Sequence, residues 1–303
     1  EAQVPAAHLH QLVARAQEMV RTLKAPCDLV YVYNFEDPDS PLALQLPAGA
    51  GPALQEAMAD LLSGLSDRMP QLSEADDVEQ VHARLNHELE TKTREIVQSL
   101  ETTARHHGFG VRNVQGVFQT FPILHGKPLS AEQFDVLDEA TKRALQGSAD
   151  RLTREVERAA RRMRAHNAHY GAEQDAAVAK AASQLVQREM RDLFERFSGM
   201  SSELARYLRQ VRQALSEDWR DLVDGEGSGE RGGRGDADLA GDGLAPLERF
   251  RVNVLVTHRP HVAAPVVFET NPSASRLFGF VARRARLGTL VSNFLRIRPG
   301  ALH

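Results

Sequence analysis

The stretch Phe250-Arg-Val-Asn-Val-Leu-Val-Thr257 decides the fold class, because apolar and polar residues alternate in it and valine is frequent. Alternation with a period of two predicts a β-strand that buries one face. A second short apolar run, Pro265-Val-Val-Phe-Glu269, follows a loop that contains proline. We therefore expect two strands of a buried sheet in this part of the chain.

Most of the remaining chain has helical periodicity. Apolar residues recur at helical spacing in the segments 7–24, 52–69, 76–107, 148–197 and 202–223. The third and fourth of these segments have narrow apolar stripes, which are typical of a coiled-coil seam. Residues 109–124 lie between them and predict a β-hairpin with its turn near 113–116. Because the two narrow stripes can be buried only against each other, we expect an antiparallel helical arm.

The order of the predicted elements indicates how the arm is connected. A strand predicted over 29–35 follows the first helix, which is the order found in doubly wound α/β domains. Residues 225–246 hold eight glycines among charged residues and predict a flexible linker. Since strands return after this linker, the arm is interpreted as an insertion. The expected fold class is α+β, mostly α, with an α/β core interrupted by a long helical arm and its small hairpin.

Composition limits the partners and the compartment. The net charge is -4 and the pI is about 6.3, so we expect no nucleic-acid partner. The single cysteine, Cys27, cannot form an internal disulfide, which favours a reducing, cytoplasmic location. No run approaches the roughly 18 apolar residues of a membrane span, and no secretory signal is apparent. A membrane partner is therefore not expected.

Five short motifs flank the helical middle. They are D-x-x-Y-V-x-N-F-x-D-P at 28–38, L-P-A-G at 46–49, V-N-V-L-V at 252–256, N-P-x-x-x-x-L-F-G at 271–279 and R-P-G-A-L-H at 298–303. Together they resemble the Lon-like ATP-dependent protease family, in the branch whose AAA+ domain contains a large helical insertion. The resemblance implies a serine endopeptidase that unfolds, threads and degrades proteins, acting on unfolded substrates as a homo-hexamer with ATP and Mg²⁺.

The resemblance also implies a domain organisation. Residues 1–70 form part of an AAA+ α/β core, 71–224 the inserted arm with its hairpin at 109–124, and 225–246 the linker. Residues 247–303 return to core strands and contain a candidate pore loop. By their position in that loop, Phe280, Leu290 and Phe294 are candidate substrate-binding tips, and Gly288 would let the loop bend. The alternative is that these three side chains pack under the sheet.

Nucleotide-binding and catalytic motifs are not found in the sequence. The only Gly-Lys pair, Gly126-Lys127, is followed by Pro128 and does not fit G-x-x-x-x-G-K-[ST]. No apolar run ends in a Walker B acidic pair, and the last lysine, Lys180, lies in the predicted arm. We expect the P-loop before residue 1, and the Walker B segment and Ser-Lys domain after residue 303, so no catalytic residue is named. A non-catalytic helical scaffold and an ATP-independent Lon-like protease stay open as alternatives.

Two arginine clusters and one histidine pair could each be a functional site or simply part of the solvated surface. One cluster comprises Arg283, Arg284, Arg286, Arg296 and Arg298, and a second comprises Arg158, Arg161, Arg162 and Arg164. Either could bind phosphate or nucleic acid, but a solvated face is the preferred interpretation. His166 and His169 have metal-ligand spacing with Glu173, yet no ligand on another element is identifiable, and no metal site is expected.

Overall fold

The computed structural model describes residues 6–23, 26–114, 117–124, 126–223, 247–260, 262, 264–282, 284–286, 289–291 and 293–303. Their helices are α1 (Ala6–Val20), α2 (Ala50–Arg68), α3 (Asp76–His106), α4 (Ala131–Asp135), α5 (Glu139–Glu189), α6 (Arg191–Phe197), α7 (Ser202–Glu217), α8 (Trp219–Val223) and α9 (Ala274–Phe278). Their strands are β1 (Asp28–Val32), β2 (Leu42–Leu46), β3 (Phe109–Val114), β4 (Val117–Leu124), β5 (Lys127–Pro128), β6 (Asn253–Val256), β7 (Phe280–Val281), β8 (Arg284–Arg286), β9 (Thr289–Val291) and β10 (Ile297–Arg298). The predicted fold class, α+β and mostly α, is confirmed. The predicted linker at 225–246 and the bend at Gly288 lie outside the described residues.

Two compact units make up the described chain. Unit 1 comprises 1–72 and 181–303, and unit 2 comprises 73–180. In unit 1, β1 lies between β2 and β6 and is antiparallel to both. Helix α2 packs against β1 and β6. A doubly wound core would pair its strands in parallel, whereas every strand pair in the described ranges is antiparallel. The loop from β1 to β2 is too short for the crossover that parallel strands need.

The helices after residue 180 belong to the core of unit 1. The resemblance places residues 181–223 in the arm, but their apolar faces pack with β1, β2 and α2. The buried side chains from this stretch include Ala182, Leu185, Val186, Met190, Phe197, Leu204, Tyr207 and Leu208. The compact unit of the arm therefore ends at Lys180 and differs from the predicted boundary at 224. Periodicity identified these helices as amphipathic, but it does not indicate which surface they cover.

Unit 2 contains the predicted helical arm. Its core joins α3 to α5 through Ile96, Leu100, Ala104, Leu152, Ala159 and Met163. The hydroxyl of Tyr170 donates to Asn86 Oδ1 at 2.5 Å, and the hydroxyl of Thr93 donates to the sulfur of Met163 at 3.5 Å. Positions along α5 thus decrease as positions along α3 increase, so the two helices are antiparallel. The hairpin of β3 and β4 follows α3, and its Phe109 and Phe118 extend the same core.

Local predictions had mixed outcomes. Residues 265–269 do not form the predicted strand, because they have no partner strand among the described residues, and Val267 and Phe268 are exposed. The predicted helix over 148–197 is divided between α5 and α6 at Met190, and α5 continues through Gly171.

None of the described helices combines the length and the apolar composition that a membrane-spanning segment requires.

Candidate functional site

Two motif glycines hold the segment 271–303 together, because their backbones cross in close contact. Gly279 has a φ of 74°, and a Cβ atom there would lie 2.1 Å from the carbonyl oxygen of Arg298. A Cβ atom on Gly300 would lie 2.3 Å from the backbone nitrogen of Gly279. Neither distance is possible for a residue with a side chain, so glycine is required at both positions. The L-F-G and R-P-G-A-L-H motifs therefore meet at one point.

Hydrogen bonds complete this crossing, which we call the glycine crossing. Helix α9 begins at a capped turn, where the hydroxyl of Ser273 accepts the backbone N–H of Arg276 at 3.3 Å. The backbone N–H of Ala301 donates to Arg276 O at 2.7 Å, and that of Leu302 donates to Leu277 O at 3.0 Å. These bonds satisfy carbonyls that have no partner within such a short helix. Strands β7 and β10 pair directly beside them.

The glycine crossing is attached to the central sheet through β6. The side-chain amide of Asn253 donates to Phe294 O at 2.7 Å and to Ile297 O at 3.1 Å. The ring of Phe294 is only 6% exposed, and its centroid lies 6.3 Å from that of Tyr33. Asn253, the asparagine of the V-N-V-L-V motif, therefore positions β10, which is the strand that pairs with β7.

The three candidate pore-loop residues have different environments. Phe280 is 55% exposed, which leaves its ring available to a ligand. Phe294 is buried against the sheet, which is the packing alternative that the sequence left open. Leu290 has a described backbone in β9, but its side chain lies outside what the structure describes. Sequence reasoning did not select three further exposed apolar residues near Phe280, which are Phe278, Val281 and Leu302.

Together these four residues form what we call the apolar patch: Phe278, Phe280, Val281 and Leu302. The sequence gives little indication that these residues are exposed, because each belongs to a short apolar run of the kind that is also found in a buried core. Nearby, Glu269 accepts the backbone N–H of Asn271 at 3.1 Å and the guanidinium of Arg276 at 3.0 Å. These two contacts, the backbone bond first, lower the pKa of Glu269.

The glycine-containing turn before α2 does not fit a nucleotide phosphate. A helix N-terminus after such a turn can bind phosphate through its free N–H groups. Here the N–H of Gly51 donates instead to the buried carboxylate of Asp28 at 2.8 Å. The same carboxylate accepts the N–H of His258 at 2.7 Å. The Gly-Lys pair at 126–127 does not lead directly into a helix, because Lys127 begins strand β5.

The predicted charged cluster on α5 is solvated, whereas the other cluster has described side chains only at Arg296, which is half-buried, and Arg298. On α5, Arg158 pairs with Glu155 at 2.7 Å and Arg161 pairs with Glu157 at 3.8 Å, all on the surface. Arg298 is exposed, while the side chains of Arg284 and Arg286 are outside the described set. This arrangement agrees with a solvated face for the α5 cluster.

The histidine pair lies along a cleft in unit 2. His166 and His169 line it together with Leu85, Leu89 and Tyr170, and its volume is about 480 Å³. The described residues contain no group of three histidine, cysteine or acidic side chains close enough to hold one metal ion. The cleft walls are mainly apolar.

Two protein-family models match parts of the chain. Residues 28–61 match the Lon-like LonC helical domain, and residues 262–303 match the LonB-like AAA domain. Both matched models are Lon-like, which confirms the resemblance drawn from the motifs. No curated protein matches the chain. The first match is to a helical domain, whereas the motifs place 1–70 in the AAA+ core.

Proposed function

We propose that this chain is part of a Lon-like ATP-dependent serine endopeptidase that unfolds, threads and degrades proteins in the cytoplasm. In this proposal the chain supplies ATPase-core structure and contacts the substrate, and the parent protein acts on unfolded proteins as a homo-hexamer. The observation that carries it is the exposure of Phe280 within the stretch that matches the LonB-like AAA domain.

The glycine crossing gives Phe280 the properties of a substrate contact. Its neighbour Gly279 is fixed by the backbone of Arg298, and β10 pairs with Phe280 itself. An aromatic ring on a rigid backbone can contact apolar side chains of an extended polypeptide at a small entropic cost. Leu290 remains a proposed second tip, and Phe294 anchors the loop.

Nucleotide and catalytic chemistry belong to other parts of the proposed parent. At the glycine-containing turn before α2, the N–H of Gly51 already donates to Asp28 and is not free to bind a phosphate. We therefore expect ATP, Mg²⁺ and the Ser-Lys dyad to be bound or supplied by residues outside this chain. No catalytic role is assigned to any residue of this chain.

The test is casein degradation by the full-length parent, with and without ATP, for the native protein and two variants. Phe280→Ala should slow casein degradation by at least about five-fold, because it removes roughly the contact area of one aromatic side chain. Phe268→Ala, which removes another exposed ring, is the matched control and should retain the native rate. Cleavage of a short fluorogenic peptide should be equal in all three, since it needs no threading.

Each other outcome has a defined meaning. Equal losses in the two variants would exclude a specific role for Phe280. Cleavage that does not depend on ATP would favour the ATP-independent protease. A parent that cleaves casein under neither condition would contradict the protease proposal and favour the helical scaffold.

A further inference from the structure

The hairpin of unit 2 has one strand whose outer edge is largely open. Strand β3 pairs with β4 along its whole length, from Phe109 with Pro122 to Val114 with Val117. On the other side, β5 pairs only with Ile123 and Leu124. On the side of β4 away from β3, residues 117–121 therefore have no strand next to them in the described part of the chain. A free strand edge presents backbone donors and acceptors that can pair with another extended chain.

Two backbone hydrogen bonds identify which residues of β4 direct their N–H and C=O groups to this open edge. The N–H of Ile123 donates to Gly108 O at 2.8 Å on the β3 side, and the N–H of Leu129 donates to Pro122 O at 2.9 Å on the opposite side. Backbone groups of successive residues alternate between the two sides of a strand. Phe118 and Thr120 therefore direct their N–H and C=O groups to the open edge. The position of Pro122 agrees with this assignment, because proline has no N–H to donate.

The exposed face beside this edge has an aromatic side chain in a fixed position. The ring of Phe121 covers Gly110 so closely that a Cβ atom at Gly110 would lie 2.4 Å from Phe121 Cε2. The guanidinium carbon of Arg112 lies 5.8 Å from the centroid of the same ring. A strand added next to β4 would place its alternate side chains beside this ring. The face therefore suits apolar side chains.

The charge of the hairpin selects among possible occupants. Residues 109–128 contain Arg112 and Lys127 and no acidic residue, and both basic side chains are exposed. This local positive charge contrasts with the net charge of -4 for the whole chain. Like charges would oppose pairing with the hairpin of a second copy, whereas acidic flanks on a partner would be attracted.

We propose that the open edge of β4, at Phe118 and Thr120, binds an extended apolar polypeptide segment with acidic flanks as an additional strand. Backbone hydrogen bonds supply the pairing, Phe121 contacts the apolar side chains, and Arg112 and Lys127 contact the flanks. The proposal needs only the hairpin and stands apart from the proteolytic function proposed above.

The experiment measures binding of a fluorescein-labelled peptide to the 303-residue chain by fluorescence anisotropy. The peptide alternates valine and threonine between pairs of glutamates, and a second peptide has lysines in place of the glutamates. We expect the acidic peptide to bind and the basic peptide to bind at least about ten-fold more weakly. Arg112→Gln and Lys127→Gln should each weaken only the binding of the acidic peptide.

Two substitutions at one position test the edge itself. Thr120→Pro removes an N–H that faces the open edge and is not used in the pairing with β3, so it should weaken binding at least about ten-fold. Thr120→Val keeps that N–H and is the matched control, with native affinity expected. Far-UV circular dichroism establishes that both variants fold.

Hydrogen exchange in the native chain provides a test without any substitution. Peptide addition should slow exchange of the Phe118 and Thr120 amides and leave those of Gln119 and Phe121 unchanged, since these already face β3. Native affinity in Thr120→Pro, no change in exchange, or no binding of the acidic peptide would each overturn the proposal. If the chain forms a dimer that Thr120→Pro abolishes, the open edge binds a second copy of the chain. That result would also overturn the proposal. A parent that fails to cleave casein would leave this proposal unaffected.

Discussion

The carboxylate of Asp28 caps helix α2 from the neighbouring strand, because its Oδ2 accepts the backbone N–H of Gly51 at 2.8 Å. The N-cap residue of α2 is Gly49, which has no side chain to perform this role. Asp28 Oδ1 accepts the N–H of His258 at 2.7 Å. One buried carboxylate therefore joins β1, the start of α2 and the segment after β6. A negative charge at a helix N-terminus also interacts favourably with the helix dipole.

Removal of this carboxylate should destabilise unit 1. Asp28→Ala would leave the N–H groups of Gly51 and His258 buried without an acceptor, and we expect a loss of about 3 kcal/mol in the free energy of unfolding. Asp39→Ala, which removes an exposed carboxylate from a loop, should change it by less than about 0.5 kcal/mol. Urea unfolding followed by circular dichroism measures both. Equal stability of the two variants would show that the cap is unimportant.

The glycine crossing should not tolerate a side chain. In Gly279→Ala the new methyl group would overlap Arg298 O, and the residue would retain a positive φ, so we expect β7 and β10 to separate. Gly64→Ala is the matched control, because a Cβ there meets no atom within 4 Å and alanine favours the interior of α2. Limited proteolysis should cleave the first variant faster within 271–303 and the second no faster than native. Unchanged protection of that segment in Gly279→Ala would contradict the prediction.

Tyr207 gives unit 1 a sensitivity to alkaline pH. Its side chain is fully buried, its hydroxyl has no hydrogen-bond partner within the described ranges, and burial raises its pKa. The neutral phenol is the form that folding favours. Its contribution to stability is therefore fully present below the ordinary tyrosine pKa of about 10, and is lost as the pH rises from there towards the higher pKa of the folded state.

The substitution Tyr207→Phe tests this assignment. It should raise the free energy of unfolding by about 1 kcal/mol at pH 7, because it removes a buried polar group without a partner. Above about pH 10, the variant should also lose less stability than the native protein does. Tyr170→Phe is the control, for which the opposite change in stability is expected. The hydroxyl of Tyr170 bonds to Asn86 and Gln174, so its loss should destabilise unit 2 by about 1 kcal/mol. A destabilised Tyr207→Phe variant would contradict the prediction.

Acid should release the turn at Glu269. Its pKa is lowered by the N–H of Asn271 first and by the side chain of Arg276 second. The contribution of these contacts is present above the ordinary glutamate pKa of about 4.3 and is lost as the pH falls through the lower pKa of the folded state. A carboxyl titration by NMR should therefore have its midpoint below that ordinary value.

Two arginine variants separate the two causes. Arg276→Gln should raise the Glu269 midpoint only partly, because the larger cause, the backbone bond from Asn271, remains. Arg209→Gln removes a positive charge from α7 and should leave the midpoint unchanged. A complete return to the ordinary value in Arg276→Gln would mean that the ion pair, rather than the backbone bond, is dominant.

Elements that depend on neighbouring residues were predictable from the sequence. The long periodic stripe predicted α3, and the residues after it predicted the hairpin of β3 and β4. The spacing of Ser130 and Gln133 is that of a capping box, and both of its bonds are present at the start of α4. These features depend on side chains three or four positions apart, so their physical cause lies within the local sequence.

Features that depend on distant residues were not predictable. Phe280 and Phe294 are aromatic residues in similar local sequences, yet one is exposed and the other is buried, because only Phe294 contacts the central sheet. The strand predicted at 265–269 has the composition of a strand but no partner to pair with in the described residues. Backbone hydrogen bonds between strands require a second segment, and local composition does not specify whether one is present.

The sequence by itself therefore determined the helical arm, the hairpin, the capped turns and the Lon-like motifs, since periodicity and short-range bonding are properties of adjacent residues. Tertiary structure alone decided that Asp28 bonds to a residue 230 positions later, that Gly279 and Gly300 meet, and that residues 181–223 join the core of unit 1. The physical reason is that each of these contacts forms only after the chain has brought distant segments together, so its energy depends on the whole fold rather than on the local sequence.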